Sequence, residues 1–232
     1  VNPSVTTAGL LAALYFCFPS SLSAQESKDE GAGQTVLSEK EREEKILQLM
    51  KRDLSECVVF VPKFERPPVF IPVKGAKSTG MAACRQETGG LTFISRKEFR
   101  KLGLSWAEFV QKSLPHCEEL LDLLVPIYQR DENGVISFGQ LISEHPLTAT
   151  IILSPQFFDR FEETMGVGFY VAIPDRKTIV MLPKTSKTFS GSQERIAQRL
   201  AEIYQMASFP ASMELFEVSK TGIRAVAEIP EI

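Results

Sequence analysis

Residues 166–183, Gly166-Val-Gly-Phe-Tyr-Val-Ala-Ile-Pro-Asp-Arg-Lys-Thr-Ile-Val-Met-Leu-Pro183, decide the reading of the fold. Two β-prone runs, Phe169 to Ile173 and Thr178 to Leu182, flank Pro174-Asp175-Arg176-Lys177, which has the composition of a tight reversal. A serine-capped helical pattern precedes this hairpin. Ser154-Pro155 supplies the N-cap and first-turn proline, and Phe157, Phe158, Phe161 and Met165 recur on one face. A second amphipathic pattern, Ser192 to Met206, follows it, with Ile196, Leu200, Ile203 and Tyr204 directed inward. Helix, hairpin, helix is the signature of an α+β fold.

The pattern extends toward the amino terminus. Ser38-Glu39-Lys40-Glu41, Ser95-Arg96-Lys97-Glu98 and Ser105-Trp106-Ala107-Glu108 are three capping boxes, each opening a helix. The first helix runs to about Leu54, and the second closes at Gly103. In the third, Pro115 is expected either to kink the helix or to begin another that runs to about Leu124. Cys57 to Val61, Pro68 to Val73 and Leu91 to Ile94 read as strands, with Pro67 and Pro68 marking an edge. Lys74 to Gly90 holds Gly75, Gly80, Gly89 and Gly90 with little periodicity, and is expected to be a loop. Asp131-Glu-Asn-Gly134 sits between two apolar runs as a hairpin turn. Thr148 to Leu153 is continuously apolar and β-branched, which predicts a central strand. Glu214 to Val218 and Ile223 to Ile229 form a closing hairpin around Lys220-Thr221-Gly222. Strands arriving as hairpins between helices predict an α+β fold, a mixed or antiparallel sheet with amphipathic helices packed on it.

The amino-terminal 24 residues contain no charged side chain, and Ala8 to Phe18 is an apolar run of the length of a signal-peptide core, short for a membrane span. Pro19 and Ser20 break it, and Ser21, Ser23 and Ala24 are small residues suited to signal peptidase. Residues 1–24 are therefore expected to be a signal peptide, 25–37 a flexible linker of Gln, Ser, Asp, Glu and Gly, and 38–232 a single α+β domain. This predicts export to the periplasm or the extracellular space, with no stable membrane span after cleavage. The alternative is membrane anchoring through an uncleaved leader. Cleavage removes Cys17 and leaves Cys57, Cys84 and Cys117, an odd set of which two can pair without the spacing choosing which.

A net charge of −3 over 232 residues speaks against a nucleic-acid binder, which would show a basic excess or stripe. With only His116 and His145, and no HExxH or CxxC, the sequence offers no metal site. It contains no P-loop, no GxGxxG after a strand and no GxSxG elbow, so no cofactor is assigned. Cys84 with His116 is the one nucleophile and base combination, a thiolate needing a nearby imidazole at neutral pH; the plainer reading is an idle or oxidised loop cysteine. Asp175 and Arg176, at a reversal, are the candidate binding residues. As turn chemistry they are expected at the surface, where Arg176→Ala would cost no more than ~0.5 kcal/mol; the alternative is an Arg176 that reaches back to a buried carboxylate, whose loss would cost several times more.

Four segments in order resemble the uncharacterised bacterial YtpQ-like family, a group of unknown function. They are Phe99-Arg-Lys-Leu-Gly-Leu-Ser-Trp-Ala-Glu108, Thr150-Ile-Ile-Leu-Ser-Pro155, Phe169-Tyr-Val-Ala-Ile-Pro-Asp-Arg176 and Phe209-Pro-Ala-Ser-Met-Glu-Leu-Phe216. The resemblance spans about residues 91–228 and implies no reaction, cofactor or catalytic residue. The functional expectation is a non-enzymatic binding or interaction module of the cell envelope, whose partner is another protein or an envelope component. The alternative is a cysteine-dependent hydrolase or transferase using Cys84 with His116.

Overall fold

Two antiparallel sheets share one apolar core in a computed structural model that describes residues 37–88, 90–184 and 187–230. The expected leader, and the expected linker apart from Leu37, lie outside the described residues. The first sheet is built from β1 (Leu54–Pro62), β2 (Phe70–Pro72), β3 (Thr79–Glu87) and β4 (Gly90–Phe93), with β3 pairing with each of the others. The second runs in the order β10-β9-β7-β8-β6-β5. Its strands are β5 (Ile127–Arg130), β6 (Ile136–Ile142), β7 (Phe169–Ala172), β8 (Thr178–Pro183), β9 (Glu214–Ser219) and β10 (Gly222–Glu228). The α+β architecture expected from the hairpins between helices is the one observed.

Alternation along the strands places the layers. Phe169, Val171, Ile179, Met181, Phe216 and Val218 face the shared core, while Ala172, Val180 and Leu182 face the opposite way. Helix α5 (Lys187–Met206) covers that outer face with Ile196 and Leu200. β8 is buried at every position because both of its faces are covered, which is why it reads as an unbroken apolar run. On the first sheet, Cys57, Val59, Val61, Ala82 and Cys84 join the shared core. Val58 and Ala83 instead pack with Phe109 and Ile94, beneath a ring cluster of Phe99, Trp106 and Phe109 with centroids 5.2–6.2 Å apart.

The helices begin where their caps predict. Helices α1 (Glu39–Met50), α2 (Arg96–Leu102) and α3 (Trp106–Leu123) each carry the reciprocal Ser and Glu hydrogen bonds of a capping box. Gly103 ends α2 at φ 65°, in the left-handed region where glycine is favoured. Ser154 accepts the Gln156 amide at the start of α4 (Pro155–Met165). Pro115 does not divide α3. Leu114, Cys117, Leu120 and Leu121 are buried on one side of that helix, and their packing holds it through the residue that cannot donate.

Two segments differ from the sequence expectation. Lys74 to Gly90, expected as a loop, contains the central strand β3. Its Ala82, Ala83 and Cys84 are wholly buried between two covered faces, so small residues stand where β-branched ones would signal a strand. Gly80 is part of that fit: a Cβ there would lie 2.3 Å from the Phe70 ring and 2.8 Å from the Ile71 carbonyl oxygen. Thr148 to Leu153, expected as a central strand, is a buried 3-10 helix. Its backbone bonds close locally, Thr150 N–H to Leu147 C=O and Ser154 N–H to Ile151 C=O. Thr148 Oγ1 donates to His145 C=O at 2.7 Å and Thr150 Oγ1 to Val58 C=O at 2.8 Å. A short apolar run has no period that separates a strand from a buried turn of helix.

That 3-10 helix is one of the ties between the sheets, and the Lys74–Ser78 turn is another. Ala225 N–H of β10 donates to Lys74 C=O, and Gly75 (φ 79°) lets the chain pass so close that a Cβ would sit 2.7 Å from Ala225 O. Buried Glu214 at the start of β9 accepts the Lys77 and Ser78 amides through Oε1, at 2.6 and 3.4 Å. Thr79 and Ser212 hydroxyls bond at 2.6 Å. Gly80→Ala should destabilise the protein by about 1–3 kcal/mol, the cost of overpacking a closed contact. A urea unfolding midpoint unchanged from wild type would show that Phe70 yields freely.

Candidate functional site

The Pro174–Lys177 reversal connects β7 to β8 but does not project into solvent. Ala211 N–H donates to Pro174 C=O, Ser212 N–H to Ile173 C=O and Arg176 N–H to Phe209 C=O, so residues 209–212 run alongside it. On the other side Ala149 N–H donates to Arg176 C=O. Covered from both flanks, Arg176 is 7% exposed, and the expectation of a surface guanidinium is corrected. The enclosing segments are distant in sequence, which is why turn composition alone gave the wrong environment.

Within this enclosure Arg176 Nη2 donates to Glu65 Oε2 at 2.9 Å. The guanidinium carbon lies 5.4 Å from the Phe209 ring centroid and 5.9 Å from that of Phe93. Glu65 ends the 3-10 turn Lys63–Glu65 after β1, and Phe93 ends β4, both on the first sheet; Arg176 belongs to the second. One cation thus meets a carboxylate and an aromatic face from the opposite sheet. The guanidinium desolvates at lower cost than an ammonium and can stack on rings while pairing, which suits Arg and not Lys. Arg66, at φ 49°, is the positive-φ non-glycine among the described residues and turns the chain directly after Glu65.

Asp175 performs the turn role expected of it. Its Oδ1 accepts the Lys177 amide at 2.9 Å, and burial raises its pKa against the opposing hydrogen bonds from Lys177 and Thr178. Lys177 reaches Glu144 at 2.6 Å. Asp175 and Arg176 are therefore brought together in sequence but employed differently, one in the turn and the other in the joint between sheets. Glu65, Phe93 and Phe209 were absent from the sequence-based site. The signal in reach was the Phe209-Pro210 start of the fourth family-like segment; Glu65 carried none.

The cysteine and histidine candidates fall elsewhere. Cys84 is in β3, not in a loop, and is wholly buried. The neighbouring Cys57 thiol and burial both raise its pKa, with Arg176 a smaller opposing influence. Burial pushes the Cys117 thiol up to about 12. These are the conditions of an inert thiol, the reverse of an activated thiolate. His116 is half-buried on α3, and the Cys84 thiol donates to the Cys57 carbonyl and not to an imidazole. Among the described residues no group of three His, Cys, Asp or Glu side chains is placed to hold a metal, and no helix is long and apolar enough to cross a membrane.

The arrangement defines a two-sheet α+β protein whose candidate site is a buried cation at the seam. The chain matches no family model, no curated protein and no solved structure.

Two predictions follow from this geometry. Arg176→Ala should cost about 2–3 kcal/mol, less than for a fully buried pair because Glu65 keeps some contact with water. Denaturant titration reads this directly, and a loss under ~0.5 kcal/mol would return Arg176 to the class of ordinary surface charges. The second concerns His145, whose Nδ1 accepts the Leu147 amide at 3.2 Å and whose pKa is lowered to about 4, chiefly by burial. An unfolded His titrates near 6.5, so between those values the unfolded chain binds the proton and the folded chain does not. Stability is full above about pH 6.5 and falls on the order of 2–3 kcal/mol as pH drops through about 4. His145→Asn, which keeps an acceptor near the Nδ1 position, should flatten this slope; an unchanged slope would assign it to other groups.

Proposed function

We propose that this chain is a non-enzymatic interaction module of the cell envelope, exported through its amino-terminal leader, and that its partner is another protein. The observation that supports this most directly is the exposure of two large aromatic side chains at the seam. Phe209, 56% exposed, stacks on Arg176, and Phe64, 66% exposed, stands one residue from Glu65. An exposed aromatic held by a rigid support, as Phe209 is by Arg176, suits partner contact, because a ring fixed in advance loses little entropy on binding.

In this reading Asp175 and Arg176 act beneath the contact surface. Asp175 fixes the turn, and Arg176 holds Phe209 in place through its ring and its backbone carbonyl. The leader-like start and the polar spacer support an exported protein. The cysteine-dependent alternative gains nothing from a thiol that is buried and raised in pKa.

Replacing Phe209 with a photo-crosslinking phenylalanine analogue in the native host tests the proposal. A single adduct of defined mass is expected from position 209 and none from Val135, an exposed residue after the 131–134 turn of the β5–β6 hairpin. No adduct at 209, or the same adducts from both positions, would overturn it. Intact-mass analysis of the same material should show a chain beginning near Gln25, and a full-length species would refute cleavage.

A further inference from the structure

The register of the first sheet pairs two cysteines that the sequence left unassigned. Cys57 of β1 lies directly opposite Cys84 of β3. Ala83 donates to Val69 and accepts from Ile94, so its polar groups point away from β1. Those of Cys84, one residue on, point toward β1. The two cysteines therefore form a hydrogen-bonded antiparallel pair, for which the Cα separation is about 5.5 Å. Disulfides join Cα atoms about 4.4–6.8 Å apart. Both side chains enter the shared core, and Cys84 Sγ lies 3.4 Å from the Cys57 carbonyl oxygen. Cys117 enters the same core from α3, a helix with no strand register to either cysteine, whereas Cys57 and Cys84 are direct cross-strand partners.

We propose that Cys57 and Cys84 are a redox couple that closes as a cross-strand disulfide while Cys117 remains a thiol. The chemistry is exchange with a small-molecule or protein disulfide. One cysteine thiolate attacks a sulfur of the donor and releases the first donor thiolate. The other then attacks the resulting mixed disulfide, forming the Cys57–Cys84 bond and releasing the second. The protein loses two protons and two electrons, and the donor takes them up to end as two thiols. Both cysteines are wholly buried in the finished sheet, so exchange belongs to the interval before β1 and β3 close. Once closed, the sheet retains whichever state it folded in, and the couple records the redox compartment of folding. This pairing does not depend on export, since a chain folding among reduced thiols simply retains the open form.

The test uses the 232-residue chain with Cys17→Ser, reduced in denaturant and refolded in a mixture of oxidised and reduced glutathione. After acid quench and alkylation, peptide mapping should recover a linked peptide joining Cys57 to Cys84, with label on Cys117 and a mass two hydrogens lower. A linkage through Cys117, or label on all three cysteines of the folded monomer, would overturn the pairing. The second arm exposes the native reduced protein to the same mixture for the same time. It should keep three thiols, and closure there as fast as during refolding would overturn the dependence on folding.

Discussion

The constraint on which the structure depends is that two separately laddered sheets must bury an apolar face each against the same core. No strand is shared between them, so hydrogen-bond ladders fix each sheet internally and leave their relation to other contacts. Among the described residues that relation is set by the 3-10 helix bonded to both Val58 and Arg176, by the Lys74–Thr79 stretch held by Glu214, Ala225 and Ser212, and by the Arg176–Glu65 pair with its two rings. Each uses groups that water would otherwise satisfy, with Glu214 and Arg176 themselves buried. Their contribution lies less in net attraction than in the penalty for any arrangement that leaves them unpaired.

Apolar burial supplies the bulk of the driving force, and its direction is general. At about 25 cal/mol per Å², a core holding Phe60, Phe157, Phe161, Phe169 and Phe216 drives the sheets together without dictating their angle. Phe60 of the first sheet and Phe216 of the second meet at 6.1 Å, a contact that tolerates sliding. Polar ties remove that freedom. The same ties prepare the candidate site, since the support that orients Arg176 across the seam also fixes the ring of Phe209 at the surface.

Much of this was legible because local chemistry and final structure agree. Ser38, Ser95, Ser105 and Ser154 cap the helices they announce, and Gly134 and Gly222 take positive φ in the turns that their neighbours predict. What escaped depends on neighbours far along the chain. β3 is rich in small residues because β1, β2 and β4 crowd it, and nothing within Thr79–Glu87 itself conveys that. Gln86 illustrates the point: a polar residue in a supposed loop is a buried donor to the Leu49 and Arg52 carbonyls at the end of α1. Thr148–Leu153 misled for a different reason, its threonine hydroxyls serving local and cross-sheet carbonyls in place of a ladder. At the candidate site, the Asp175 turn was readable and the burial of Arg176 was not, because Glu65 lies 111 residues away.

If the seam makes the two sheets a single cooperative unit, they should open together. Native-state hydrogen exchange compares the amides from Ala82 to Cys84 in β3 with those from Ile179 to Met181 in β8, across a series of low denaturant concentrations. The account predicts that the slowest amides of both sets exchange through one global opening, with the same free energy and the same denaturant dependence. A smaller opening that releases β3 while β8 stays protected would contradict it.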